Sequence, residues 1–173
     1  MHGSFSRDWV SMASSVRLSE PFWLLARRLI PKPTKMHRWR GGRPRVPDRQ
    51  VLAASLFVLR TGCQWKALDA TDLGSGSNAH RRFQEWVRAG LFHRLWRVTA
   101  RRYDEVRGLD WRWFSVDGCL TKAPLARSEV VGRNPTDRGK QGVKRSLLVE
   151  GNGMPLALAV GPANRNDHLL LER

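Results

Sequence analysis

The sequence is poor in the residues that staple or metallate small folds. Its two cysteines, Cys63 and Cys119, lie far apart without Cys-x-x-Cys spacing, so neither a disulfide framework nor a zinc site is indicated. Both are read as reduced bystanders. The five histidines, His2, His37, His80, His93 and His168, are scattered without ligand spacing. No apolar run approaches membrane-spanning length, and the N-terminus lacks the compact apolar stretch of a secretion signal. A membrane partner is therefore not expected, and the cytoplasm is the default location. No internal repeat is present. Acids are scarce: 15 Asp plus Glu face 31 Lys plus Arg, a net charge of +16. Such an excess marks a polyanion as partner, nucleic acid first and an acidic membrane surface second. At 173 residues and 41% apolar content, one domain or two small ones can each hold a modest core.

Residues 1 to 17 show little periodicity and read as a disordered leader. Ser19-Glu20-Pro21 is a helix start, followed by Phe22, Leu25, Ala26 and Leu29 at helical spacing until Pro31 and Pro33. Residues 32 to 49 carry Lys32, Lys35, Arg38, Arg40, Arg43, Arg45 and Arg49 against Asp48, with glycines and prolines that forbid a helix. That loop is either a solvated linker or a DNA contact, and its charge favours phosphate in both cases. Asp48 is expected to cap the next helix, with Val51, Leu52, Ser55, Leu56 and Leu59 as its core stripe before Gly62.

A short helix over 64 to 72, a glycine turn over 73 to 77 and a longer helix over 78 to 89 make a helix-turn-helix pattern. On the longer helix Phe83, Trp86 and Val87 share one face, while His80, Arg81, Gln84 and Arg88 lie on another. Arg and Gln can read base edges in a major groove, although a merely wet amphipathic face has the same pattern. Leu91 to Glu105 continues as a helix with Phe92, Leu95, Trp96 and Thr99 inward.

Beyond a link at Val106 to Asp110, three runs read as strands: Trp111 to Val116, Val143 to Val149 and Pro155 to Val160. Asn152-Gly153 between the last two is a tight-hairpin signal, of the kind in which both central residues take positive φ. Asp117-Gly118 follows the first run, so the Asp117 carboxylate is expected at a strand end, either capping a turn or facing a ligand.

The stretches Arg133-Asn-Pro-Thr-Asp-Arg-Gly-Lys-Gln-Gly-Val-Lys-Arg145, Leu147-Leu-Val-Glu-Gly-Asn-Gly-Met-Pro-Leu156 and Ala163-Asn-Arg-Asn-Asp167 resemble DDE transposases of bacterial insertion sequences, the insertion-sequence-five group. Arg43-Pro-Arg45, Val58 to Trp65, Arg82-Phe83, Trp86 and Ala89-Gly90 add to the resemblance, which covers about residues 18 to 173 in the right order.

It implies an α+β chain: a helical DNA-binding region over 18 to 106, then the first three antiparallel strands of an RNase H-like catalytic domain over 107 to 173. It implies Asp117 as the first catalytic and metal-binding aspartate of a Mg²⁺-dependent strand-transfer enzyme. Arg138, Lys140 and Lys144 then become candidates for gripping the DNA backbone, with a solvated basic loop as the alternative. Glu150 is read as structural.

The second aspartate and the glutamate of such enzymes lie on a later strand and helix, so the domain is expected to be incomplete here and inactive alone. A truncated frame, a pseudogene remnant and the first of two frames joined by frameshifting all fit. The expected partner is double-stranded DNA at transposon ends, with a second copy or an intact transposase as a possible protein partner. The alternative function is a non-catalytic DNA-binding fragment that regulates transposition.

Overall fold

A computed structural model describes residues 18–32, 45–123 and 129–171. The leader 1–17 and the loop residues Lys35, Arg38, Arg40 and Arg43 fall outside the described residues. The chain divides into two compact units, Met1–Arg97 and Val98–Arg173.

The first unit contains α1 (Glu20–Leu29), α2 (Asp48–Thr61), a 3₁₀ turn (Trp65–Ala70), α3 (Gly76–Arg88) and the start of α4 (Leu91–Arg107). Helix α1 begins after Ser19, but the Ser19 hydroxyl makes no capping bond. Helix α2 has Pro47 at its N-cap and ends at Gly62. Asp48 does not cap it, because its carboxylate is drawn to the guanidinium of Arg82 instead.

Two apolar clusters fill this unit. Ala54, Phe57, Val58, Leu68 and Ala79 join α2, the 3₁₀ turn and α3. Ala26, Val51, Leu52, Trp86, Leu91 and Leu95 join all four helices. Each fully buried large side chain contributes roughly 1.5–3 kcal/mol. The α2 stripe runs through Phe57 rather than Leu59, which is 57% exposed, since Phe57 and Ala54 face the 3₁₀ turn. Val87 is likewise outside the core, at 46% exposure.

The 3₁₀ turn and α3 approach too closely for any side chain at Gly76. A Cβ there would lie 1.9 Å from the Trp65 carbonyl oxygen. The Gly76 amide donates to the Asp69 carboxylate at 2.8 Å, so the turn also caps the helix it abuts. The glycine turn predicted from sequence is present, but the helix starts at Gly76, two residues before the expected Asn78, and its partner is a six-residue 3₁₀ turn.

In the second unit four strands form one sheet: β1 (Phe114–Lys122), β2 (Gly132–Arg133), β3 (Gln141–Glu150) and β4 (Pro155–Pro162). All pairings are antiparallel, with β1 and β4 flanking β3 and the two-residue β2 bonded to the first residues of β3. A short helix α5 (His168–Leu171) follows β4.

The β3–β4 hairpin stands, but Asn152 does not take positive φ; only Gly153 does, at 83°. Its amide bonds to the Glu150 carbonyl at 2.8 Å and the Glu150 amide to the Met154 carbonyl at 3.1 Å. That is a three-residue loop closed by a left-handed glycine rather than the two-residue turn expected from Asn-Gly. β1 starts later and runs longer than predicted, placing Asp117 opposite Leu147 in mid-strand and not at a strand end.

Candidate functional site

The helical unit presents the polar face of α3. His80, Arg81 and Arg88 are exposed and Gln84 is half-buried. The spacing 80, 84, 88 aligns three of them along successive turns. His80 stacks on Trp65 with centroids 5.1 Å apart, and Gln84 Nε2 lies 3.3 Å from His80 Nε2. Arg88 has no ion-pair or hydrogen-bond partner among the described residues.

Arg81 differs from its neighbours. Its Nη1 donates to Glu85 Oε1 at 2.7 Å and its Nη2 to Asn78 Oδ1 at 3.0 Å. Glu85 Oε2 is also 3.6 Å from Arg45 Nη2 and 3.6 Å from Arg82 Nε. Of the five basic loop candidates only Arg45 lies among the described residues, and it is tied to Glu85 from 40 positions along the chain.

Arg82 sits beneath this face with 0% exposure. Its guanidinium binds the Asp48 carboxylate, reaches the Val46 carbonyl at 3.5 Å and lies 5.3 Å from the Trp86 ring centroid. Burial lowers its pKa, the nearby charge of Arg45 lowers it further, and the hydrogen bond to Asp48 opposes both. Arg82 thereby fastens the start of α2 to α3. The sequence signal for a charge role of these two residues is an arginine at a core position of the α3 helical wheel, three residues before Glu85.

In the sheet unit, Asp117 is exposed, and its carboxylate has no partner among the described residues. Because side chains alternate across a strand, Asp117 shares a face with its pairing partner Leu147, and Lys144 projects from the opposite face. Lys144 is only 14% exposed, with Nζ 3.1 Å from Asp167 Oδ1 and 2.8 Å from the Arg165 carbonyl. Arg138 and Lys140 are exposed in the loop before β3, where Arg138 takes φ 50°.

Buried Asn134 organises that loop: its Oδ1 accepts from the Thr136 amide at 3.0 Å and the Thr136 hydroxyl at 2.8 Å. The stretches 133–145 and 163–167 meet here, since a Cβ at Gly142 would lie 3.2 Å from Ala163 and 3.3 Å from Asn134. Four sequence candidates thus fall into one unit but not into one site.

Among the described residues no group of three or more His, Cys, Asp or Glu side chains could hold a metal ion. Mg²⁺ keeps most of its waters and is usually held by one or two carboxylates plus substrate phosphates. The described residues offer it Asp117 alone at this position, so they do not make a two-ion centre.

Glu150 is buried as a structural acid. Its carboxylate accepts from the amides of Asp110 at 2.7 Å, Met154 at 2.9 Å and Asn152 at 3.0 Å. Burial alone would raise its pKa, but those amides outweigh it and hold the carboxyl below its ordinary range. Asp110 is held down to about 2, first by the side-chain hydrogen bond from Arg112 and then by the Arg112 amide.

Residues 18–96 match the family described as "Putative transposase of IS4/5 family". The chain is 29% identical over 119 residues to the insertion element IS402 uncharacterized 16.2 kDa protein of Burkholderia cepacia, covering 68% of this chain and 80% of that protein. It is 28% identical over 106 residues to the uncharacterized protein y4sN of Sinorhizobium fredii, covering 61% of this chain and 76% of that one. No solved structure matches it. No helix among the described residues is long and apolar enough to cross a membrane. Over residues 18–96 the chain is thus similar to the IS4/5 family of putative transposases.

Proposed function

We propose that the helical unit binds duplex DNA at the ends of an insertion sequence, using α3 as a recognition helix. The carrying observation is the row of exposed His80, half-buried Gln84 and exposed Arg88 on a chain of net charge +16, in a segment that matches a transposase family model. In this reading the 3₁₀ turn and α3 act as a helix-turn-helix, His80 is steadied by Trp65, and Arg88 is free to meet a base edge. The loop residues Lys35, Arg38, Arg40 and Arg43 add sequence-independent phosphate contacts.

The sheet unit is proposed as the opening strands of an RNase H-like domain, in which Asp117 is one metal-binding carboxylate of a DDE transposase. Arg138 and Lys140 hold the DNA backbone, and Lys144 joins them only if its pair with Asp167 opens. Cutting and joining need further carboxylates, because one acid does not hold two Mg²⁺ ions about 3.5–4 Å apart. The lone exposure of Asp117 equally supports a second reading, a non-catalytic DNA binder that competes with an intact transposase for the same ends.

Fluorescence anisotropy with an element-end duplex and a scrambled duplex tests the binding. The end is expected to bind more tightly, while Lys35→Ala or Arg40→Ala weaken both duplexes alike. Equal affinity for the two duplexes rejects end recognition. A nicking assay with Mg²⁺ separates the readings: no product is expected from this chain alone, and product lost in Asp117→Asn would show that its own residues complete the site.

A further inference from the structure

We propose that Glu85 stands in for a DNA phosphate, occupying an anion site built by Arg45 and Arg81 and setting the strength of non-specific binding. The proposal rests on the DNA-binding reading above. Three guanidinium groups surround this one carboxylate, at 2.7 Å for Arg81 and 3.6 Å for Arg45 and Arg82. Glu85 is the sole acid in α3, so nothing else on that helix offsets its basic side chains.

The three arginines are not equivalent. The Arg82 side chain is buried and holds a second carboxylate, Asp48, so it stays in place whatever happens to Glu85. Arg45 and Arg81 are 44% and 64% exposed, and Glu85 itself is 38% exposed. A phosphodiester oxygen can reach the two outer guanidinium groups from solvent, presenting the same paired-oxygen geometry as the carboxylate. Exchanging one anion for the other costs little, since exposed ion pairs contribute only about 0–1 kcal/mol.

Glu85 therefore neutralises charge beside the face that meets DNA and leaves recognition to Arg88, Gln84 and His80, none of which pairs with an acid among the described residues. Phosphate contacts carry no sequence information, so strengthening them lowers selectivity. An acid at position 85 keeps the +16 chain from clinging to every duplex.

The test is binding of Glu85→Gln to the scrambled duplex. Removing the competing carboxylate is expected to strengthen binding to the scrambled duplex about 2- to 5-fold, the scale of an exposed ion pair. The ratio of end to scrambled affinity should fall, and Arg45→Ala with Arg81→Ala in the Glu85→Gln background should remove the gain. Unchanged affinity for the scrambled duplex in folded Glu85→Gln would overturn the proposal. Failure of the wild-type chain to bind any duplex would instead remove the reading beneath it.

A second measurement uses the wild-type chain and so does not depend on how the variant folds. On titration with the scrambled duplex, the Nε–H resonances of Arg45 and Arg81 should shift while that of Arg82 stays. Shifts of neither outer arginine would also overturn the proposal.

Discussion

The two units bury charge by opposite means. In the helical unit Arg82 is enclosed by carboxylates from two helices and an aromatic ring, so one cation joins segments 34 residues apart. In the sheet unit Glu150 is enclosed by backbone amides from its own turn and from Asp110. The first device locks tertiary packing and depends on distant acids. The second locks a local hairpin and depends on one proton.

Their apolar surfaces differ as well. The helical unit closes two clusters around Leu52, Phe57 and Trp86. The sheet leaves Phe114, Val116, Leu147 and Leu158 between 37% and 58% exposed. An exposed apolar strand surface of that kind is an aggregation hazard.

The largest loss of stability is expected at Arg82. Arg82→Ala leaves Asp48 and Glu85 without their shared cation and opens a hole beside Trp86, at an expected cost of about 3–5 kcal/mol. Loss of helical circular dichroism at a much lower urea concentration checks this. An unshifted midpoint would mean that the buried pair contributes nothing.

Gly76→Ala comes next. The added methyl must displace the Trp65 carbonyl, and overpacking of this kind costs about 1–3 kcal/mol. The same urea titration reads it, and His80 should lose its stacking shift in the NMR spectrum because Trp65 moves with the turn.

Helix existence and the three long strands were legible because apolar periodicity and β-branched runs report local structure directly, whereas in α4 the buried pair is Leu91 and Leu95, with the expected Phe92, Trp96 and Thr99 only half-buried. The β3–β4 hairpin was legible from Asn152-Gly153, although Glu150 extended the loop by accepting the Met154 and Asn152 amides. Asp117 was misplaced for a physical reason. Asp-Gly is a turn signal in isolation, but here Gly118 faces Ser146 across the ladder and β1 continues to Lys122. The link from Asp48 to Arg82 was not legible, because no short window contains both ends of a contact between positions 48 and 82. The basic face of α3 was read correctly as polar, but periodicity cannot tell a free arginine from one tied to Glu85.

Acid should sharpen the difference between the units. Glu150 and Asp110 have folded pKa values below their unfolded ones, with Asp110 at about 2. Their stabilisation is therefore complete above the unfolded carboxylate range near 4 and is lost as pH falls through the folded values. Hydrogen exchange of the Met154 and Asn152 amides should accelerate, beyond the intrinsic pH trend, between about pH 4 and 2. Glu150→Gln should remove most of that dependence. Arg82 stays protonated throughout, so its own titration adds none. Acid-independent protection of the hairpin amides would show that the Glu150 charge is not what holds the turn.

The smallest structural effect, and the most telling functional one, belongs to Arg88→Ala, which should leave folding within about 0.5 kcal/mol of the parent. The measurement that tests base reading by α3 most directly is binding of the parent and of Arg88→Ala to a panel of element-end duplexes, each carrying one substituted base pair. The parent should lose about 1–3 kcal/mol of affinity at a few adjacent positions, and Arg88→Ala should become indifferent at one of them while keeping the others. A parent chain indifferent to every substitution, or an Arg88→Ala chain with an unchanged profile, would contradict the assignment of α3 as the recognition helix.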